Sequence, residues 1–244
     1  MNELSGQSVL LTRSEDDCAE WAQEVEAMGA TAVILPCIHS EQIDTAELRE
    51  QITAVLPRTD WLVFTSKRGV AAFVALHAEP LPDIIGIAVI GPATGDAAVI
   101  AFGRADLVSE MGTAESLAQA LETRLTEPNS QILIAVAETA GYTIEDTLRA
   151  AGAYCTRLEV YRTVAADELT PKQALSTFDA DNVFLASPSA VTGFTNQVEL
   201  DTLAAIFTIG PATSEAALDA GLEVTGQARS PGIEGMMEAM RCAI

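Results

Sequence analysis

Five short stretches bring together hydroxyls, glycines and occasional cations in a pattern that suits anion binding. They are Thr12-Arg13-Ser14, Thr65-Ser66-Lys67, Gly91-Pro92-Ala93-Thr94, Ser187-Pro188-Ser189 and Gly210-Pro211-Ala212-Thr213. Each follows an apolar run and precedes a helical pattern. Such a junction offers free backbone N–H groups and the positive end of a helix dipole, and both favour negative charge. Taken singly, each junction is accounted for by Ser or Thr capping a helix, worth about 1 kcal/mol. Taken together, they predict an anion-binding cleft at the carboxyl ends of parallel strands. The candidate substrate-binding residues are therefore Thr12, Arg13, Ser66, Lys67, Gly91, Thr94, Ser187, Ser189, Gly210 and Thr213.

Other chemistries lack their residues. No G-x-x-x-x-G-K-[ST] loop, no G-x-G-x-x-G after a strand and no G-x-S-x-G elbow occurs, so nucleotide-loop, dinucleotide and serine-hydrolase readings have no support. Cys18, Cys37, Cys155 and Cys242 form no C-x-x-C pair, and His39 and His77 stand far apart. Packed, reduced thiols are expected, with no disulfide frame and no metal site. Any enzyme on this chain must work without a metal, a cofactor or a strong nucleophile.

Thirty-five acids against 13 bases give a net charge of −22. Nucleic-acid binding needs clustered Lys and Arg, so it is excluded, and the acids read as a solvated shell. No apolar run reaches the ~18 residues of a membrane span. Met1-Asn2-Glu3-Leu4 lacks a basic-then-apolar export signature, so a cytoplasmic location is expected. Apolar residues make up 49% and aromatics only 5%, so any core is mostly Ala, Val, Leu and Ile.

The elements that must position the junctions alternate along the chain. Strands are expected at 8–12, 31–35, 60–64, 86–90, 131–136, 154–160, 182–186 and 204–209. Helices are expected from Ser14 to Gly29 and over 44–56, 67–78, 93–102, 113–125, 142–151, 171–177, 188–198, 211–220 and 232–241. Several strands are continuous apolar runs, as in sheets covered on both faces. The class is α/β with parallel sheets. An internal repeat runs through it. Ser66 and Ser187 lie 121 residues apart in matching contexts, and Ile90-Gly91-Pro92-Ala93-Thr94 recurs 119 residues later as Ile209-Gly210-Pro211-Ala212-Thr213. The strand–helix unit ending at Gly29 answers to the one ending at Gly152. Two similar sheets follow.

These residues, in this order, resemble uroporphyrinogen-III synthase over nearly the whole chain. The markers are Leu11-Thr12-Arg13, Phe64-Thr65-Ser66-Lys67-Arg68-Gly69-Val70, Ile90 to Thr94, Leu158-Glu159-Val160-Tyr161-Arg162-Thr163, Ser187-Pro188-Ser189-Ala190-Val191, and Ile209 to Thr213 running on to Ser230-Pro231. One stretch departs from the pattern. Where relatives usually show an Arg-Gly-Glu-x-x-Arg segment, this chain reads Val136-Ala137-Glu138-Thr139-Ala140-Gly141-Tyr142, keeping the glutamate but not the arginines.

The resemblance implies two flavodoxin-like α/β domains joined by a two-stranded connector. One would be discontinuous, 1–37 plus 165–244, and the other would span 40–162, with 37–40 and 160–164 as hinge. It implies a cofactor-free lyase of porphyrin and haem biosynthesis that cyclises hydroxymethylbilane to uroporphyrinogen III, inverting the last pyrrole and losing water. By match to the family's Val-Tyr position, Tyr161 is the candidate catalytic proton donor, since a phenol carries its proton at neutral pH. Arg13, with Lys67 or Arg68, would help dock substrate carboxylates. A monomer is expected, and hydroxymethylbilane synthase is the partner for transient contact. The rival reading is a non-catalytic tetrapyrrole- or anion-binding module of the same fold, which the 136–142 stretch favours. A two-lobed periplasmic binder is a third reading, and the N-terminus argues against it.

Overall fold

A computed structural model describes residues 4–109, 111–125 and 129–243. Of the N-terminal tetrapeptide read above, only Leu4 is among them. The chain opens with β1 (Ser8–Leu11), α1 (Glu15–Ala27), β2 (Thr31–Ile34) and β3 (Ile38–Gln42). It continues through α2 (Ala46–Val55), β4 (Trp61–Phe64), α3 (Lys67–Leu76), β5 (Gly86–Ile90), α4 (Gly91–Phe102) and β6 (Leu107–Ser109). Then come α5 (Ala114–Glu122), β7 (Gln131–Ala137), α6 (Thr143–Ala150) and β8 (Tyr154–Ala165). The last stretch holds β9 (Gln173–Ala174), β10 (Asn182–Leu185), α7 (Pro188–Gln197), β11 (Val198–Glu199), β12 (Ala205–Thr208), α8 (Pro211–Asp219), β13 (Val224–Gln227) and α9 (Ile233–Arg241). No helix among the described residues is long and apolar enough to cross a membrane.

The chain folds into two units, Met1–His39 with Thr163–Ile244, and Ser40–Arg162. It passes from the first to the second within β3 and returns within β8, and these two strands are neighbours in one sheet.

The discontinuous unit carries the sheet order β2-β1-β10-β12-β13, all parallel. Counted along the chain within the unit, that order is 2-1-3-4-5, the doubly wound arrangement of flavodoxin. The reversal of direction, where the chain leaves β1 for one side and later returns beside it, falls between β1 and β10. Val9, Leu11, Phe184 and Phe207 face one core with Trp21, Met236 and Met237, while Leu10, Val183 and Leu185 face another with Phe194 and Ala217. Both sheet faces are therefore covered by helices, which is why the strands lack polar alternation.

The inserted unit carries β3-β8-β7-β4-β5-β6. Its pairs β8–β7, β7–β4, β4–β5 and β5–β6 are parallel. The reversal here lies between β7 and β4. Leu62, Phe64, Ile87, Val89, Leu133 and Leu158 pack on one face with Val70 and Phe73, and Val63, Ala88, Ile132 and Ile134 pack on the other with Leu117 and Leu148. The two sheets share one pattern in which β7–α6–β8 takes the place of β1–α1–β2, and β4, β5 and β6 take those of β10, β12 and β13.

One expected helix is absent. Residues 171–177 instead form the two-residue strand β9, paired in parallel with β11, and a 3₁₀ turn over Leu175–Phe178. The cause is local. Ser176 gives its N–H to Asp201 Oδ1 at 2.9 Å and its hydroxyl to Asp201 Oδ2, while Thr177 returns its hydroxyl to the Ala174 carbonyl. Side chains that bond backbone and neighbours in this way compete with a helix.

Candidate active site

In the discontinuous unit the candidates sit at the tips of β1, β10 and β12. Arg13 follows β1, and its Nη2 lies 3.2 Å from Asp17 Oδ2 with the guanidinium 4.5 Å above the Trp21 ring. The arginine is thus held from two sides just ahead of α1. Thr12 is buried, and its hydroxyl donates to the Phe184 carbonyl at 2.6 Å, tying β1 to β10 at the reversal point. Ser187 caps α7 by accepting the Ala190 N–H at 3.1 Å, with Pro188 pre-set at the first helical position. Ser189 is half-buried on the first turn of that helix. Gly210 precedes α8 in an extended conformation, and Thr213 is buried inside its first turn.

In the inserted unit the corresponding tips belong to β4, β5, β7 and β8. Ser66 caps α3 by accepting the Gly69 N–H at 3.1 Å. A Cβ on Gly69 would stand 3.2 Å from the Ala135 carbonyl, so glycine lets this helix end approach β7 closely. Lys67 is exposed on the first turn of α3. Gly91 opens α4 with φ 71°, in the left-handed region that favours glycine, whereas its repeat partner Gly210 has φ 177°. The repeated Ile-Gly-Pro-Ala-Thr therefore does not carry a repeated backbone. Thr94 is buried. The three buried threonines, Thr12, Thr94 and Thr213, keep their side chains inside, so any ligand contact at those points falls to backbone.

Tyr161 reaches the same edge through an irregularity in β8. Val136 pairs with Glu159 but Ala137 pairs with Tyr161, so Val160 is an extra residue on the β8 side. In a regular strand Val160 and Tyr161 would point to opposite faces. Here both join the core that contains Leu158 and Phe64. Tyr161 is 9% exposed, and its hydroxyl lies 2.9 Å from Ser66 Oγ. Ser66 and Tyr161, candidates for two different roles, are thus in direct contact.

A residue not singled out from sequence dominates the loop after β7. Arg157, on β8, sends Nε to Glu159 Oε1 at 3.1 Å and Nη1 to Glu145 Oε1 at 2.7 Å. Further contacts run from Nη1 to the Gly141 carbonyl at 3.4 Å, and from Nη2 to the Ala140 and Ala137 carbonyls at 2.7 and 3.3 Å. These five bonds match the five N–H groups of a guanidinium. Its carbon also lies 4.5 Å from the Tyr142 ring centroid. Burial works against the charge, but the bonds to Glu145 and Glu159 outweigh it and hold the guanidinium's pKa above its ordinary value. The 137–142 segment lies at the reversal point of its sheet, and Arg157 fixes its shape from behind. The available signal was Arg157 and Glu159 two apart on a strand, with an acid, Glu145, placed to face them.

Arg162, next to Tyr161, is committed as well: its Nε and Nη2 bind both oxygens of Glu41 at 3.0 and 3.1 Å. In a strongly acidic chain, three arginines near the strand tips are each paired with carboxylates.

The family model described as uroporphyrinogen-III synthase HemD matches residues 19–238. The chain is 28% identical over 242 residues to the chloroplastic uroporphyrinogen-III synthase of Oryza sativa subsp. japonica, covering 95% of this chain and 79% of the relative. It is similar in fold to the uroporphyrinogen-III synthetase of Helicobacter pylori, with TM-score 0.59 and 14% identity over 98% of this chain and all of the other. A mutant uroporphyrinogen III synthase of the extreme thermophile Thermus thermophilus gives TM-score 0.54 and 17% identity, covering 98% of each.

Proposed function

The chain belongs to the uroporphyrinogen-III synthase family, and from that membership we propose that it cyclises hydroxymethylbilane to uroporphyrinogen III with Tyr161 as proton donor. The observation that carries the assignment of roles is the bulge at Val160, which turns the Tyr161 ring toward α3 and sets its hydroxyl against Ser66 at a strand tip.

The chemistry asks little of reactive groups and much of orientation. Tyr161 gives its proton to the leaving hydroxyl, the C–O bond breaks with its electrons on oxygen, and water departs. The azafulvenium cation so formed is attacked through the substituted carbon of the last pyrrole, giving a spiro intermediate that fragments and recloses with that ring inverted. The proton lost from the pyrrole carbon at closure returns to the phenolate. Without the protein the chain closes uninverted, so the catalytic task is to hold one folded conformer, an effect of proximity and orientation. Helix N-termini and strand-tip groups, including Arg13, Lys67 and Ser189, are the donors for substrate carboxylates. The scheme calls on no metal or cofactor and on a single chain.

The test generates hydroxymethylbilane in situ, adds the protein, oxidises the products and measures isomer III against isomer I. Isomer III above the uncatalysed level is expected. Isomer I alone would leave a protein that binds without turnover.

A further inference from the structure

We propose that Ser66 is a positioning residue that works through Tyr161: it donates its hydroxyl hydrogen to Tyr161 Oη, which aims the phenol proton at the substrate and steadies the phenolate left after transfer. The inference rests on the reading of Tyr161 as proton donor.

Three observations converge on this pair. First, the two oxygens are 2.9 Å apart, and Ser66 Oγ already accepts the Gly69 N–H at 3.1 Å. A hydroxyl has one hydrogen to give and lone pairs to receive. Among the described residues the Ser66 hydroxyl has just these two partners. If Tyr161 donated to it, the Ser66 hydrogen would have no acceptor among the described residues. With Ser66 as donor, it is instead the Tyr161 hydrogen that has no acceptor among the described residues, and it is free to turn away from α3 toward a substrate.

Second, the contact exists because of the bulge. With Val160 as the extra residue, Tyr161 lies on the α3 face of the sheet, and a regular β8 would turn it to the face that holds α5 and α6. Bulges recur next to active sites where a side chain must be re-aimed. Third, Ser66 caps a ten-residue helix, so it stands at the positive end of that helix's dipole. A hydrogen bond given from that place strengthens as negative charge develops on its acceptor.

The step balances without moving the serine's own proton. Tyr161 Oη releases its hydrogen to the leaving oxygen of hydroxymethylbilane, and the C–O bond breaks to release water. The phenolate keeps the Ser66 hydrogen bond until the proton from the closing pyrrole carbon returns to it. Ser66 therefore acts on the rate of proton transfer and not on the docking of carboxylates.

The test compares the full chain with Tyr161→Phe, Ser66→Gly, Ser66→Thr and the Tyr161→Phe/Ser66→Gly double variant, measuring kcat and KM for hydroxymethylbilane generated in situ. Glycine is chosen because it keeps nearly all the capping stability of serine while deleting the hydroxyl. Tyr161→Phe is expected to lower kcat about a hundredfold, as for loss of a general acid. Ser66→Gly is expected to lower kcat at least about tenfold with KM unchanged, and Ser66→Thr to restore most of the rate. The double variant should be no slower than Tyr161→Phe alone, because the serine acts only through the phenol. If Tyr161→Phe is slow while Ser66→Gly keeps full kcat, or slows the Phe variant by the same factor as the parent, the serine role is overturned and the donor assignment stands. Full activity in Tyr161→Phe overturns both.

Discussion

Arg157 Nη1 lies 2.7 Å from Oε1 of Glu145, a carboxylate that is 1% exposed on the first turn of α6. The pair joins β8 to α6, and the remaining donors of Arg157 hold the carbonyls of the loop between β7 and α6. Removing one member of a buried pair leaves the other charged and without compensation, which costs about 3–5 kcal/mol. Arg157→Met should therefore unfold at clearly lower denaturant, and Arg157→Lys should recover only part, since one ammonium cannot reproduce a five-donor fork. Arg157→Met/Glu145→Leu should be more stable than Arg157→Met alone. Urea denaturation of the three variants decides it; a single variant within about 0.5 kcal/mol of the parent, the range of ordinary surface changes, would show the pair to be energetically idle.

That loop marks the limit of what the sequence discloses. The strand–helix alternation, the parallel class and most element positions follow from apolar runs such as Ile132-Leu133-Ile134 and from caps such as Thr45 and Thr113, which accept the N–H three residues on. The edge strands β6 and β13 do not announce themselves: Leu107-Val108-Ser109 is short, and Val224-Thr225-Gly226-Gln227 exposes alternate residues. The repeat reveals which elements are equivalent but not which ones pair. A period near 120 residues invites a cut at mid-chain. Instead β1 and β2 from the first copy share a sheet with β10, β12 and β13 from the second, joined where Val9 and Leu10 register with Asn182 and Val183. At the site, the junction hydroxyls are legible as caps. The bulge that turns Tyr161 is not, because Glu159-Val160-Tyr161 has no residue type that demands an extra position.

The four cysteines should separate cleanly by reactivity. Burial pushes the Cys18 and Cys155 thiols up to about 11 and the Cys37 thiol higher still, while Cys242 is exposed. Only thiolate reacts, so alkylation at pH 8 should label Cys242 alone in the folded chain and all four in denaturant. The raised thiols also set a sign. Unfolding would return them to their ordinary value of 9.0, so above that pH the unfolded chain holds fewer protons than the folded one. Stability is then present in full below about pH 9 and lost as pH rises toward 11. Mass spectrometry of the labelled protein and melting between pH 7 and 11 check both halves; rapid native labelling of Cys37 would contradict the packing.

Gly193, midway along α7, lies against the Cys37 carbonyl, which itself accepts the Ala166 N–H at 2.8 Å. A Cβ at that position would collide with the Cys37 backbone, which is held by that bond and cannot rotate aside. Gly193→Ala should therefore lower stability by about 1–3 kcal/mol, as overpacking does, although alanine is the better helix former. A melting temperature equal to or above the parent's would mean that α7 can shift away from this contact.

Salt should help substrate binding. The proposed substrate carries acetate and propionate groups, and the chain carries a net −22, so the long-range field opposes approach while local donors at strand tips do the docking. Three arginines near the strand tips are neutralised in place: Arg13 by Asp17, Arg162 by Glu41, and Arg157 by Glu145 and Glu159. Added salt shortens the screening length from about 10 Å at 0.1 M toward about 3 Å at 1 M. That removes repulsion from distant acids but leaves contacts at hydrogen-bond range largely intact. KM for hydroxymethylbilane should fall as ionic strength rises over that range, with kcat little changed. A KM that climbs with salt would mean that attraction to exposed cations such as Lys67 outweighs the acidic shell, and docking would then have to be assigned to charge rather than to helix ends and hydroxyls.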